Sequence, residues 1–414
     1  MKLNNKKPVP LKRIQDFENL GFGLFVHFGL YSLLGRGEWS QKNCNVQQKE
    51  YDELFGHFNP KKNWADELVS TAKKAGCKYI TFTTRHHDGF SLYDTCGLNE
   101  FDAPHACGRD IVVEFVNACR KYDILPFFYH TLLDWHEESY NKDFRTYLKY
   151  LRDSVEILCK NYGKIGGIWF DGMWDKKDFD WEEDALYGLI RKWQPDAIII
   201  NNTGLGKQGE LGHIELDSVT FERGKPKQIN LSSSPKYIAS EMCQVFGDHW
   251  GYAKKDFNYK SVSEIIETFA ICRRYRSNFL LNIGPMADGS LRTIDKGMLE
   301  LVGEWVKINN EAVYKPLPTQ IVINNKPKDF ILQDGNNYYL FVHDLKMVAD
   351  PNVALTSNLD LEEHFLFDQT IKEVQWIDNN QSLDFIQEDG KVSIYATPFQ
   401  YGESQVVRIA KIFT

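Results

Sequence analysis

Asp171 is where a chemical reading of this chain starts. It sits near the end of GGIWFDG, Gly166 to Gly172, so a carboxylate follows directly on a short, strongly apolar run. A buried strand ending in an acid beside a glycine is how parallel α/β proteins present a catalytic carboxylate, although Asp also follows strands simply to cap the next turn. Other strand-length runs end in groups of comparable chemistry: His27, the pair His86 and His87 followed by Asp88, Tyr129 with His130, Trp169 ahead of Asp171, and Asn201 with Asn202. Any one such histidine reads as a hydrogen-bonded core residue; five successive strand ends of this kind predict convergence in space. Glu38 and Trp39, in GRGEW, place a charged acceptor beside an indole. Acid/base chemistry needs a second carboxylate, and Glu222, after the extended VTF run, is the first candidate, its ordinary alternative being an exposed glutamate paired with Arg223. Glu241, Asp217, Asp134 and Asp175 are rivals. Trp39, Tyr129, Trp169, Trp174, Trp250 and Tyr252 supply aromatic faces for the C–H faces of sugars, while His, Asn and carboxylates bond hydroxyls. The mixture favours a carbohydrate. A metal-dependent hydrolase using His27, His86, His87 and Asp171 is the competing chemistry, weakened because neighbours such as His86 and His87 at a strand end point to opposite sides.

The elements that must position these groups alternate. GFGLFVHF, CKYITFTT, ILPFFYH, GGIWF and AIIINN have strand length and β-rich composition. Between them run amphipathic stretches over 64–76, 110–122, 143–163 and 182–193, with apolar residues at helical spacing. YIASEMC, the helical SEIIETFAICRRY, NFLLNIG and a helix from about Asp295 to Asn309 continue the pattern. Strand–helix repetition predicts parallel pairing and a (β/α)8-like barrel of α/β class over residues 1–315, with one or two units poorly formed. After Lys315 short alternating runs joined by NN, DGNN and EDG turns predict a small antiparallel β-sandwich over 316–414.

Composition narrows the partners. With 414 residues and a net charge of −8, the chain offers no basic excess for nucleic acid or anionic lipid, and nowhere do about twenty apolar residues run together. The charged start MKLNNKKPVPLKRIQDFENL lacks the apolar core of a signal peptide, and the eight cysteines lack CxxC or zinc-like spacing. The expectation is a cytoplasmic protein with reduced cysteines, no cofactor, no metal, no nucleic-acid partner and no membrane partner. Oligomeric state is not legible.

GFGLFVHFGLYSLLGRGEWS, KYITFTTRHHDGFSLYDT, GGIWFDG, SEMCQVFGDHWGY and NFLLNIGPMADGSL, in this order over residues 20 to about 310, resemble the successive signatures of the α-L-fucosidases of glycoside hydrolase family 29. The resemblance implies a retaining exo-glycosidase acting on terminal fucose of short oligosaccharides or glycoconjugates, with Asp171 as nucleophile and Glu222 as general acid/base, from Thr220, Phe221, Glu222 and Pro226. It further implies a sugar pocket of His27, Glu38, Trp39, His86, His87, Tyr129, Trp169 and Trp250. Two positions depart from the family pattern: a tyrosine-tyrosine-serine run reads Phe128, Tyr129, His130, and an arginine after the fifth strand is Thr203. A fucose-binding protein that has lost its chemistry is the alternative within the resemblance.

Overall fold

The computed structural model describes residues 8–232, 234–349, 352 and 360–414. Eight parallel strands close into a barrel in chain order: β1 Phe22–Val26, β2 Tyr79–Arg85, β3 Leu125–Thr131, β4 Gly167–Asp171, β5 Ile198–Asn201, β6 Ser218–Glu222, β7 Ala239–Val245 and β8 Asn278–Ile283. Buried on both faces, β1, β4 and β5 read as near-continuous apolar runs. The helices are α1 Lys12–Glu18, α2 Trp64–Lys74, α3 Ile111–Tyr122, α4 Phe144–Asn161, α5 Glu183–Trp193, α6 Val262–Arg274 and α7 Thr293–Ile308, with several shorter turns. Asp110, Asp143 and Ser261 cap α3, α4 and α6 by accepting a backbone N–H of the first turn.

The irregular part of the barrel lies where sequence periodicity is weakest. β5 and β6 share one register pair, Ile200 with Ser218, and the chain between them is a loop without a helix. β6 itself is a strand, paired along its length with β7.

Period-two alternation decides which side chains fill the barrel. Trp169 and Asp171 on β4 face inward, as do Phe127 and Tyr129 on β3. Phe25, Tyr129 and Trp169 pack over Tyr79 and Phe127, and α1 inserts Ile14 and Phe17 below them. The double glycine ahead of Ile168 has a packing cause: a Cβ at Gly166 would lie 2.2 Å, and one at Gly167 2.5 Å, from the Phe127 ring. A larger residue there would displace the ring beneath Tyr129.

Two compact units partition the chain, one running to Lys260 and resuming over Ser277–Glu300, the other comprising Ser261–Arg276 and Leu301–Thr414. The second contains β9 Leu317–Pro318, β10 Phe330–Asp334, β11 Asn337–Val342, β12 Leu361–Leu366, β13 Glu373–Trp376, β14 Phe385–Glu388, β15 Lys391–Ala396 and β16 Arg408–Phe413. These form an antiparallel sheet ordered β13-β16-β11-β10-β9 and another ordered β12-β15-β14. Leu340, Phe365, Val374, Trp376, Ile394 and Ile412 fill the core of this sandwich.

Candidate active site

A cavity of about 660 Å³ opens at the C-terminal ends of the barrel strands, the end where such folds carry chemistry. His27, Trp39, His86, His87, Tyr129, Trp169, Asp171, Glu222 and Trp250 all line it. Glu38 does not; it is buried, and its Oε2 accepts the backbone N–H groups of Trp250 (3.0 Å) and Gly251 (2.8 Å). That oxygen ties Glu38 to the loop bearing Trp250.

Asp171 is the most contacted group. Its Oδ2 accepts from Tyr129 Oη (3.1 Å), and its Oδ1 accepts from Trp174 Nε1 (3.3 Å) and Asn202 Nδ2 (3.2 Å). Burial raises its pKa, and the bonds from Trp174, Asn202 and Tyr129 oppose that rise. Gly172, at φ 101°, turns the chain where a Cβ would strike Leu133. Glu222, at the tip of β6, accepts at Oε2 from the same Asn202 Nδ2 (2.8 Å). Its pKa is raised by burial first and by the charge of Asp171 second. The 3.2 and 2.8 Å legs from one nitrogen limit the distance between Asp171 Oδ1 and Glu222 Oε2 to at most about 6 Å.

The histidines are neutral acceptors. Asn282 gives its Nδ2–H to the Trp250 carbonyl (2.7 Å), so its Oδ1 accepts from His27 Nδ1–H (2.7 Å), and His27 Nε2 keeps its lone pair. Thr131 donates its hydroxyl to the Leu133 carbonyl and accepts from His87 Nδ1–H at 2.7 Å, leaving His87 Nε2 likewise unprotonated, 3.6 Å from Asp171 Oδ2. Burial pushes both rings down to about 3, so the His87–Asp171 approach is not an ion pair. His86 stacks on Tyr129 at 5.5 Å and 10°, and burial holds it far below the usual histidine range.

Contrary to the strand-end expectation, His86 and His87 both face the cavity, with centroids 4.3 Å apart. They lie beyond Arg85, where β2 ends after a register shift against β3, so alternation no longer governs them. His130 does follow alternation: it turns away from the cavity, bonding Ser154 Oγ at 2.7 Å. His130 is therefore not part of the cavity lining. Thr203 does line the cavity, its hydroxyl donated to the Lys207 carbonyl at 2.6 Å.

The rival carboxylates are engaged elsewhere. Asp217 is buried among Arg13, Arg191 and Lys236; Asp134 lies against Arg85 and accepts the His136 and Glu137 N–H groups; Asp175 accepts from Tyr140. Glu241 is sealed below the floor, holding Trp169 Nε1 (2.9 Å) and Tyr79 Oη, and burial pushes its pKa up to about 7. Among the described residues, no cluster of three or more His, Cys, Asp or Glu is arranged to hold a metal ion. Asn202 and Trp174 donate to Asp171 and line the cavity, and sequence reasoning left them outside the pocket set although both stood among its strand-end and aromatic residues.

Residues 4–311 match the family model described as alpha-L-fucosidase. The tissue alpha-L-fucosidase of Rattus norvegicus is 28% identical over 378 residues, 82% of this chain and 77% of that protein; that of Homo sapiens is 28% identical over 364 residues, 79% and 75%. The solved alpha-L-fucosidase isoenzyme 1 from Paenibacillus thiaminolyticus superposes with a TM-score of 0.81 at 25% identity, over 97% of this chain and 98% of that one. A family model matched across the whole barrel makes this chain a member of the α-L-fucosidase family of glycoside hydrolases.

Proposed function

We propose that this chain is a retaining, exo-acting α-L-fucosidase that removes terminal α-L-fucose from short oligosaccharides or glycoconjugates by double displacement. Asp171 attacks the anomeric carbon while Glu222 protonates the departing oxygen; Glu222 then takes a proton from water, which displaces Asp171. The single observation carrying this reading is the Asn202 amide, whose contacts to both carboxylates keep them within about 6 Å. Retaining enzymes need roughly 5–5.5 Å, whereas inverting ones need a wider gap for water. The division of labour follows from the donors: Asp171 receives three, which favours its ionised form, and Glu222, receiving one beside a buried anion, is the acid that keeps its proton. His27 and His87 offer lone pairs to sugar hydroxyls, while Phe25, Trp169 and Trp250 offer apolar surface to the C6 methyl group. Packed Phe25, Tyr129 and Trp169 line the bottom of the cavity, and a pocket closed at its base supports exo action.

Hydrolysis of p-nitrophenyl α-L-fucoside tests the reading. Asp171→Ala abolishes turnover, and azide or formate restores some β-linked product. Unchanged activity would remove Asp171 from its role; fucose binding without any turnover by the wild type would make the chain a binding protein.

A further inference from the structure

Asn202 is only 3% exposed, and all of its amide valences are taken. Nδ2 donates to Asp171 Oδ1 and Glu222 Oε2, while Oδ1 accepts from Thr220 Oγ1 (2.8 Å) and Gly204 N–H (3.3 Å). The Gly204 N–H and the two carboxylates fix the amide: turned over, it would present oxygen to two carboxylates and N–H to a backbone N–H. Among the described residues, no other side chain donates to both acids. Tyr129 and Trp174 reach Asp171 alone, neutral His87 lies 3.6 Å from it, and Arg223, next to Glu222, donates to the Asp248 carbonyl at 2.9 Å.

We infer that Asn202 is a positioning residue serving both half-reactions, holding the two carboxyls at fixed spacing while one negative charge passes between them. The inference rests on the roles proposed above for Asp171 and Glu222. Before reaction Asp171 is anionic and Glu222 carries the proton. As the bond from the anomeric carbon to the leaving oxygen breaks, that oxygen takes the Glu222 proton and Asp171 forms an ester, so the charge now rests on Glu222. In the return step Glu222 takes a proton from water, the water oxygen bonds the anomeric carbon, and the ester bond breaks to give its electron pair back to Asp171. The pair carries one negative charge throughout, and each of its resting places already faces an Asn202 N–H. No donor has to move, which is the condition for preorganised electrostatic stabilisation.

The test is the pH dependence of kcat/KM for the aryl fucoside in wild type, Asn202→Ala, Thr220→Val and Trp174→Phe, with the glycosylation and deglycosylation steps resolved by stopped flow. Loss of one donor from both acids moves both limbs of the bell to higher pH, slows both steps, and lowers kcat/KM roughly 10- to 100-fold. Trp174→Phe, touching Asp171 alone, moves only the acidic limb. Thr220→Val keeps the amide but removes one of its contacts, and moves both limbs by less than Asn202→Ala; it carries the test if the alanine variant loses its cooperative thermal transition. Reduced activity with both limbs in place, or movement of one limb only, overturns the inference. A wild type silent on aryl fucoside and on fucosylated oligosaccharides overturns the parent assignment instead.

Discussion

Tyr129 and Trp169 stack with centroids 5.6 Å apart and planes 20° from parallel, yet their polar tips serve different acids. Tyr129 Oη reaches Asp171 in the cavity, and Trp169 Nε1 reaches Glu241 beneath the floor. One aromatic pair thus separates an acid that faces the sugar from an acid that holds the floor in place.

Removing the hydroxyl while keeping the stack isolates the upper contact. Tyr129→Phe lowers kcat/KM roughly 10- to 100-fold, the usual worth of a hydrogen bond to a charged group. It also moves the acidic limb of the pH profile upward, because ionised Asp171 loses a donor. A pH–rate profile with an unmoved acidic limb would show that the hydroxyl does not support the anion.

Glu222→Gln separates the two steps. With p-nitrophenol as an activated leaving group, the first step persists and the second slows by roughly 10²- to 10⁴-fold, giving a stoichiometric burst in stopped flow. Steady turnover at the wild-type rate would point to another acid/base, for which Glu183 and Glu210, also lining the cavity, are the nearest alternatives.

Chelation leaves activity intact. His27 and His87 keep free Nε2 lone pairs, but among the described residues no three His, Cys, Asp or Glu are grouped to hold an ion. Activity lost in EDTA and restored by a divalent cation would revive metal-assisted hydrolysis.

Glu363, on β12, is buried beside Asp329, which holds His343 at 2.7 Å. Burial first, and Asp329 second, push its pKa up to about 8. A carboxyl raised in the folded state holds a proton that the unfolded chain releases, so stability falls as pH climbs from the ordinary glutamate range to about 8. Glu363→Gln flattens that decline: its melting temperature exceeds the wild type's at pH 8.5 by more than at pH 5. Parallel curves of melting temperature against pH for the two proteins would contradict the assignment.

Much of the fold is legible because a strand buried on both faces must be apolar along its length, as GIWF and AIII are. β6 was the ambiguous strand: SVTFE is short, polar at both ends and barely paired to β5. The site is legible wherever a residue type alone implies its use, as with Asp171 after its apolar run. It is not legible where long-range pairing decides. Glu38 beside Trp39 reads as a sugar ligand, yet one of its carboxylate oxygens, Oε2, is committed to N–H groups 212 and 213 residues away. Asn202 is held in part by Thr220, and no local pattern encodes that contact.

The aromatic floor has one more implication, for traffic. Phe25, Tyr129 and Trp169 line the bottom of the cavity, and under the proposed mechanism substrate, leaving group, water and product exchange through its doorway at the strand ends. The leaving group must depart before water can follow it, and any saccharide alcohol waiting at that doorway competes with water for the fucosyl ester. Under the proposed mechanism the ratio of transfer to hydrolysis therefore rises with acceptor concentration, and Trp174 and Leu205, exposed parts of the cavity lining, are where such an acceptor would be met.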